Sequence, residues 1–157
     1  GADLIVTLGG ASVGDYDLVR HVAGDLAFYK VAIRPGKPLM AGHVGETPLI
    51  GLPGNPVAAM VCGHVFLRPA LDALLGLPAG PLPRGRAALT RDLEAGGVRE
   101  HYMRAALGPD GVTPFADQDS SVQSLLAAAD ALLIQPPDAP PMRAGAMVDI
   151  IRLRGTA

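Results

Sequence analysis

Three short stretches concentrate the residue types that bind anions. "LGGASVGDYD" at 8–17 places Gly9, Gly10, Ser12 and Gly14 after an apolar run. "RPGKP" at 34–38 places Arg34 and Lys37 in a turn stiffened by two prolines, and "GLPGNPVAAM" at 51–60 sets Pro53, Gly54, Asn55 and Pro56 before a helix-like apolar segment. Glycines let a backbone turn sharply and approach a ligand, and the N–H groups of a following helix can face an anion. Ser12 adds a hydroxyl donor, Arg34 a planar fork for an oxyanion and Lys37 a compact point charge. Each feature also has a plainer explanation. Asp15 and Asp17 stand where a helix cap would stand, "RPGKP" alone is a solvated turn, and one glycine-rich loop is a weak signal. All three loops nevertheless follow strands of one α/β pattern, and in open sheets of that kind ligands gather outside the carboxyl ends of the strands.

The elements that must position these loops separate into two regimes. "DLIVTL", "AFYKVAI", "PLMAGHV" and "TPLIGL" read as strands, with a short helix around Leu18 to Ala23 and a Gly-Glu turn between the last two. Asn55 is a good N-cap and Pro56 a good first residue for a helix packed on that sheet. Pro69 should kink or restart it, and Gly76 should end it. "LPAGPLPRG" at 77–85 cannot sustain helix or central strand and reads as a linker. Beyond it come short β-like pieces, "RAALTRDL", "HYMRAAL", "VTPFA", "ALLIQ" and "MVDIIRLR", as in a small sandwich or barrel. "SVQSLLAAAD" at 121–130 is the helical exception.

Composition bounds the function. With 157 residues, 49% hydrophobic content and a net charge of −2, the chain has room for a sizeable core or for two small units, and no general attraction for nucleic acid. One cysteine, Cys62, excludes an internal disulfide, suits a reducing cytoplasmic setting and reads as a small core residue. No signal peptide is evident, and the apolar stretches are interrupted by Gly, His or Pro, so no membrane span is expected. His21, His43, His64 and His101 lack the spacing of a zinc site. The chain opens on "GADLIVTLGG" without an initiator Met, as an excised fragment would.

"GGASVGDYD", "KVAIRPGKPLMAG" and "GLPGNPVAAM", in this order and spacing, resemble the molybdenum-insertion family MoeA, whose eukaryotic relatives include the E domain of gephyrin. The resemblance covers almost the whole chain. It implies an α/β fold class: residues 1–78 as the C-terminal part of a three-layer molybdopterin-binding domain, and 79–157 as a small all-β, barrel-like C-terminal domain. It also implies a reaction in which adenylated molybdopterin (molybdopterin-AMP) and molybdate are converted, with Mg²⁺, to molybdenum cofactor and AMP by a cytoplasmic homodimer. On that basis Gly9, Gly10, Ser12, Gly14 and Asp15, with Pro53, Gly54, Asn55 and Pro56, would line the pterin-nucleotide site. Asp17 would bind Mg²⁺ and, with Lys37, be catalytic. Arg34, Lys37, Pro38, Arg104, Ser120 and Ser121 would contact molybdate. Arg34 stands where the family usually has lysine, and Ala58 where many members have serine. Without the resemblance, Arg104 is a surface strand residue and the serine pair a helix N-cap.

Two other functions share parts of this pattern. Pterin adenylyltransferases of the MogA and MoaB type share the α/β fold and a Gly-Gly loop, but typically carry Gly-Gly-Thr-Gly and lack the appended β domain. A gephyrin-like scaffold would need a receptor groove, and the sequence encodes none that can be recognised. Because the family's earlier domains and a partner subunit complete its active site, the chain alone is expected not to catalyse insertion. An incomplete sheet would also leave an unpaired edge open to self-association.

Overall fold

The computed structural model describes residues 1–10 and 25–154, which form two compact units. The first comprises residues 1–31 and 35–81, and the second residues 32–34 and 82–157.

In the first unit, β1 (Ile5–Leu8), β2 (Leu26–Tyr29), β4 (Met40–Val44) and β5 (Thr47–Leu52) make a sheet in the order β1-β5-β4-β2. β1 and β5 run parallel, with Ile5 beside Leu49 and Leu8 beside Leu52, so both strands end on one edge of the sheet. β4 and β5 are a hairpin closed by Gly45 and Glu46, the Gly-Glu turn expected from the sequence. The helix expected around Leu18 to Ala23 lies outside the described residues.

Helix α1 (Pro56–Cys62) starts at Asn55, whose side-chain oxygen accepts from the Ala58 N–H at 3.0 Å, with Pro56 in the first turn. Val57, Ala58, Val61 and Cys62 form its buried face. A single π-helical stretch, Gly63–Leu67, then connects it to α2 (Arg68–Leu74). Pro69 cannot donate to a carbonyl one turn back, and the wider turn just ahead of it, with Arg68 N–H bonded to Gly63 O, keeps the helix continuous. At the far end Gly76 N–H bonds to Ala73 O and Leu77 N–H to Asp72 O, the double closure of a Schellman motif. By length and composition alone the 19-residue helix Pro56–Leu74 could cross a membrane, which the interrupted sequence had not suggested. Its first turn-and-a-half packs inside the unit through Val57, Ala58, Val61 and Cys62, but only 22% of the apolar stretch is buried. Met60, Leu71, Leu74 and Leu75 on it are exposed, as are Leu8 and Phe28 of the sheet.

The second unit is all-β apart from one short helix. β3 (Ile33–Arg34), β6 (Gly85–Ala88), β7 (Glu100–Gly108), β8 (Gly111–Pro114), β9 (Ala131–Gln135) and β10 (Met147–Arg152) pair in the order β3-β7-β9-β10-β6, with β8 also on β7. A bridge between Leu89 and Val112 joins the β6 end back to β8 and curls the sheet towards a barrel. Gly111 makes that closure possible: its φ is +131°, and a Cβ there would lie 2.1 Å from Ala88 O. Alternate residues of each strand point inward, so Met103, Ala105, Val112, Ala131, Leu133, Val148 and Ile150 form one core with Leu89 and Leu93. The loop after β8 and α3 (Gln123–Ala128) lie against the sheet, and β9 is buried along its whole length.

"AFYKVAI" is not a single strand. β2 stops at Tyr29 because Lys30 has a φ of +71°, and the chain folds back with Lys30 N–H on Leu39 O and Val31 N–H on Lys37 O. Ile33 and Arg34 then pair in parallel with Glu100 and His101 of β7, within the second unit, to which residues 32–34 belong.

Candidate functional site: converging glycine loops and a buried arginine

In the first unit the parallel pairing of β1 and β5 brings two of the three loops together. Gly9 N–H donates to Leu52 O at 3.0 Å, and Gly9 and Gly10 both have φ near the left-handed region, at +79° and +76°. A Cβ on Gly54 would lie 3.4 Å from the Gly9 Cα, so the Gly-Gly turn and the PGNP turn touch backbone to backbone. Pro53 is buried, while Gly54, Asn55 and Pro56 are exposed at the start of the long helix. This is the sheet edge and helix N-terminus at which α/β proteins hold anionic ligands.

The third loop reaches the same helix further along. Gly36 is buried with φ +118°, and its carbonyl accepts from the Cys62 thiol at 4.0 Å. Burial pushes that thiol's pKa up to about 12, so Cys62 serves as a packing residue. Lys37 is exposed beyond the turn and Pro38 half-buried. Ser12, Gly14, Asp15 and Asp17 lie outside the described residues. Among the described residues no group of three or more His, Cys, Asp or Glu is placed to hold a metal ion.

In the second unit Arg104 is only 2% exposed. Its guanidinium donates to Val122 O at 2.8 Å and Asp119 O at 3.0 Å, while its backbone N–H and C=O bond to the Gln118 side-chain amide. Gln118 also donates to Phe115 O, so Arg104 and Gln118 together fasten the loop from Phe115 to Val122 to the sheet. That loop carries Ser120, half-buried, and Ser121, exposed. The Asp119 carboxylate accepts from the Ser121 N–H at 2.8 Å, and this bond first, then the Ser121 side chain, holds its pKa below the ordinary value.

His101 and Arg99 escaped the sequence reading. His101 is half-buried beside Arg34, its register partner on β3, and its pKa falls to about 4 through burial first and then through Arg34, Arg104 and Arg99. The local clue was an Arg-x-His alternation entering a strand; the decisive neighbour, Arg34, is remote in sequence.

An α/β unit whose glycine loops meet at one strand edge, followed in sequence by a small barrel-like β unit, has relatives among known proteins. Residues 1–73 match the model of a probable molybdopterin binding domain, and residues 86–153 that of the MoeA C-terminal region, domain IV. The chain is 36% identical over 160 residues to molybdopterin molybdenumtransferase 2 of Mycobacterium tuberculosis, covering 95% of this chain and 40% of the relative. Molybdopterin molybdenumtransferase of Bacillus subtilis is 32% identical over 161 residues, covering 97% and 37%. The crystal structure of the molybdopterin biosynthesis MoeA protein from a Pyrococcus species superposes with a TM-score of 0.79 over 99% of this chain and 38% of that one, at 24% identity, a likeness of fold. The chain belongs to the MoeA family and spans about 40% of the length of these curated relatives.

Proposed function

We propose that this chain is part of an enzyme of molybdenum cofactor biosynthesis that inserts molybdate into adenylated molybdopterin and releases AMP. The observation that carries the proposal is the Gly9–Gly54 contact, which opens two backbone loops and a capped helix N-terminus on one sheet edge. Backbone N–H groups there suit the phosphates of a pterin nucleotide, a role we extend to Gly10, Pro53, Asn55 and Pro56 and, outside the described residues, to Ser12, Gly14 and Asp15. In the first unit Lys37, with Pro38, supplies positive charge for molybdate. In the second unit, taken by itself, Arg34, Ser120 and Ser121 are groups suited to contact an oxyanion. Arg104 acts as a positioning residue, because its guanidinium already donates to the two carbonyls that shape the serine loop.

Asp17, outside the described residues, would be the carboxylate that holds Mg²⁺, whose charge would help neutralise the phosphates. We also infer a cytoplasmic homodimer. The exposed Leu8, Phe28, Met60 and Leu71 supply apolar surface for self-association. Because the chain spans 40% of its relatives, we infer that it does not complete the reaction alone. The test is AMP release from adenylated molybdopterin by a full-length enzyme carrying this chain. Molybdate-stimulated release that falls with Lys37→Ala by about one to two decades in molybdate affinity, with nucleotide affinity kept, supports the proposal. ATP-dependent adenylation of molybdopterin, or AMP release indifferent to molybdate, would overturn it.

A further inference from the structure

Arg99 and His101 have no part in the function proposed above, yet they share one corner of the second sheet with Arg34. Arg34 is the register partner of His101 across the parallel β3–β7 pair. Arg99 lies two residues before His101, and its guanidinium reaches back to Ile33 O at 3.4 Å. On the other side of β7 the register partner of His101 is Gln135, an uncharged amide that donates to Glu94 O at 2.7 Å. The nearby acids are engaged elsewhere. Glu100, on the opposite face of the strand by alternation, accepts from the Tyr102 hydroxyl and pairs with Arg84. Asp117 accepts from the Asp119 N–H and Asp119 from the Ser121 N–H, with both carboxylates acting on Arg104 and Asp119 also sensing Arg34. Among the described residues neither Arg34 nor Arg99 forms an ion pair. Two guanidinium groups outside any ion pair, only one of them within reach of the Asp119 carboxylate's field, therefore flank a half-buried imidazole on which only cations act, an arrangement that an anion would stabilise.

We propose that Arg34, Arg99 and His101 form a binding site for a tetrahedral, doubly charged oxyanion, and that the imidazole takes up a proton when the anion arrives. The site rests on the oxyanion role assigned above to Arg34 and adds two residues and a proton to it. In the free protein burial and three arginines keep His101 neutral, with a pKa of about 4. A dianion reverses the sign of the local field, so the protonated imidazole becomes the favoured form and supplies a further charged donor. Proton uptake on binding means that affinity strengthens as pH falls from the bound midpoint towards the free one.

Sulfate is the probe, because it keeps its double charge over the pH range required. Imidazole resonances of the 157-residue chain are followed by NMR from pH 7.5 to 3.5, with sulfate or with chloride at equal ionic strength. The expected result is a His101 midpoint raised by about one pH unit or more in sulfate. His43 should be unmoved, and the rise should be lost in the Arg34→Gln, Arg99→Gln double variant. Sulfate affinity measured by calorimetry should tighten as pH falls from about 5.5 to about 4 in the parent and stay flat in His101→Gln. A His101 midpoint identical in sulfate and chloride, or a rise that persists in the double variant, overturns the proposal. This readout is independent of AMP release: a sulfate-linked rise in a protein without molybdate-stimulated AMP release keeps the oxyanion site and removes only the reaction.

Discussion

Replacing Arg104 by methionine keeps an unbranched side chain at a position that is 2% exposed and removes its charge. Two hydrogen bonds go with it, to Val122 O at 2.8 Å and to Asp119 O at 3.0 Å. Bonds from a charged donor contribute about 1.5–3 kcal/mol each, but these two act on one loop and do not add. Part of the loss is offset, because methionine carries no charge to desolvate. A net destabilisation of about 2–3 kcal/mol follows, which for a unit of this size lowers the Tm by roughly 8–24 °C. Thermal unfolding followed by circular dichroism reads the first quantity. Amide hydrogen exchange reads the second consequence, faster exchange from Asp119 to Val122, with Arg104 itself less affected because its backbone bonds to Gln118 remain. Arg104→Lys, which keeps the charge but not the fork, should fall between methionine and the parent. A methionine variant that melts within about 2 °C of the parent and exchanges normally in this loop would refute the positioning role.

Asn55→Ala should cost about 1 kcal/mol by removing the cap on Ala58 N–H, and Asn55→Asp should be nearly neutral; equal melting of the alanine variant and the parent would discard the capping account. His101 titrates near pH 4 in the folded protein against an ordinary 6.5. Its contribution to stability is thus complete above pH 6.5 and drains away as pH falls through 4. Discounted for partial solvent exposure this amounts to about 1–2 kcal/mol, and His101→Gln should flatten the stability profile over that window in urea titrations.

The sequence was most legible where one residue type has one local job. Asn55 and Pro56 announced a helix start, Gly45 and Glu46 a hairpin turn, and Gly76 a helix end, because caps and turns are decided within a few residues. The strand "AFYKVAI" was misread for the opposite reason. Its apolar run is continuous, but a positive φ at Lys30 and a pairing partner on β7 split it, and neither is visible in a local window. The candidate site divides along the same line. The glycine loops were readable from composition and order. Arg104 as a loop fastener and His101 as a neutral base among cations depend on contacts remote in sequence, with the Phe115–Val122 loop and with Arg34.

The two-residue strand β3 gives the molecule an unusual seam. Residues 32–34 leave the first unit between two of its own strands, lie against Glu100 and His101, and return. No single scissor cut can therefore separate the units. A truncation after Pro81 would deny the β-barrel unit one of its threads, and the barrel portion grown alone would show a bare backbone edge at the start of β7. On the ribosome, residues 32–34 emerge well before β7, so this pairing waits until the chain has been made at least to His101.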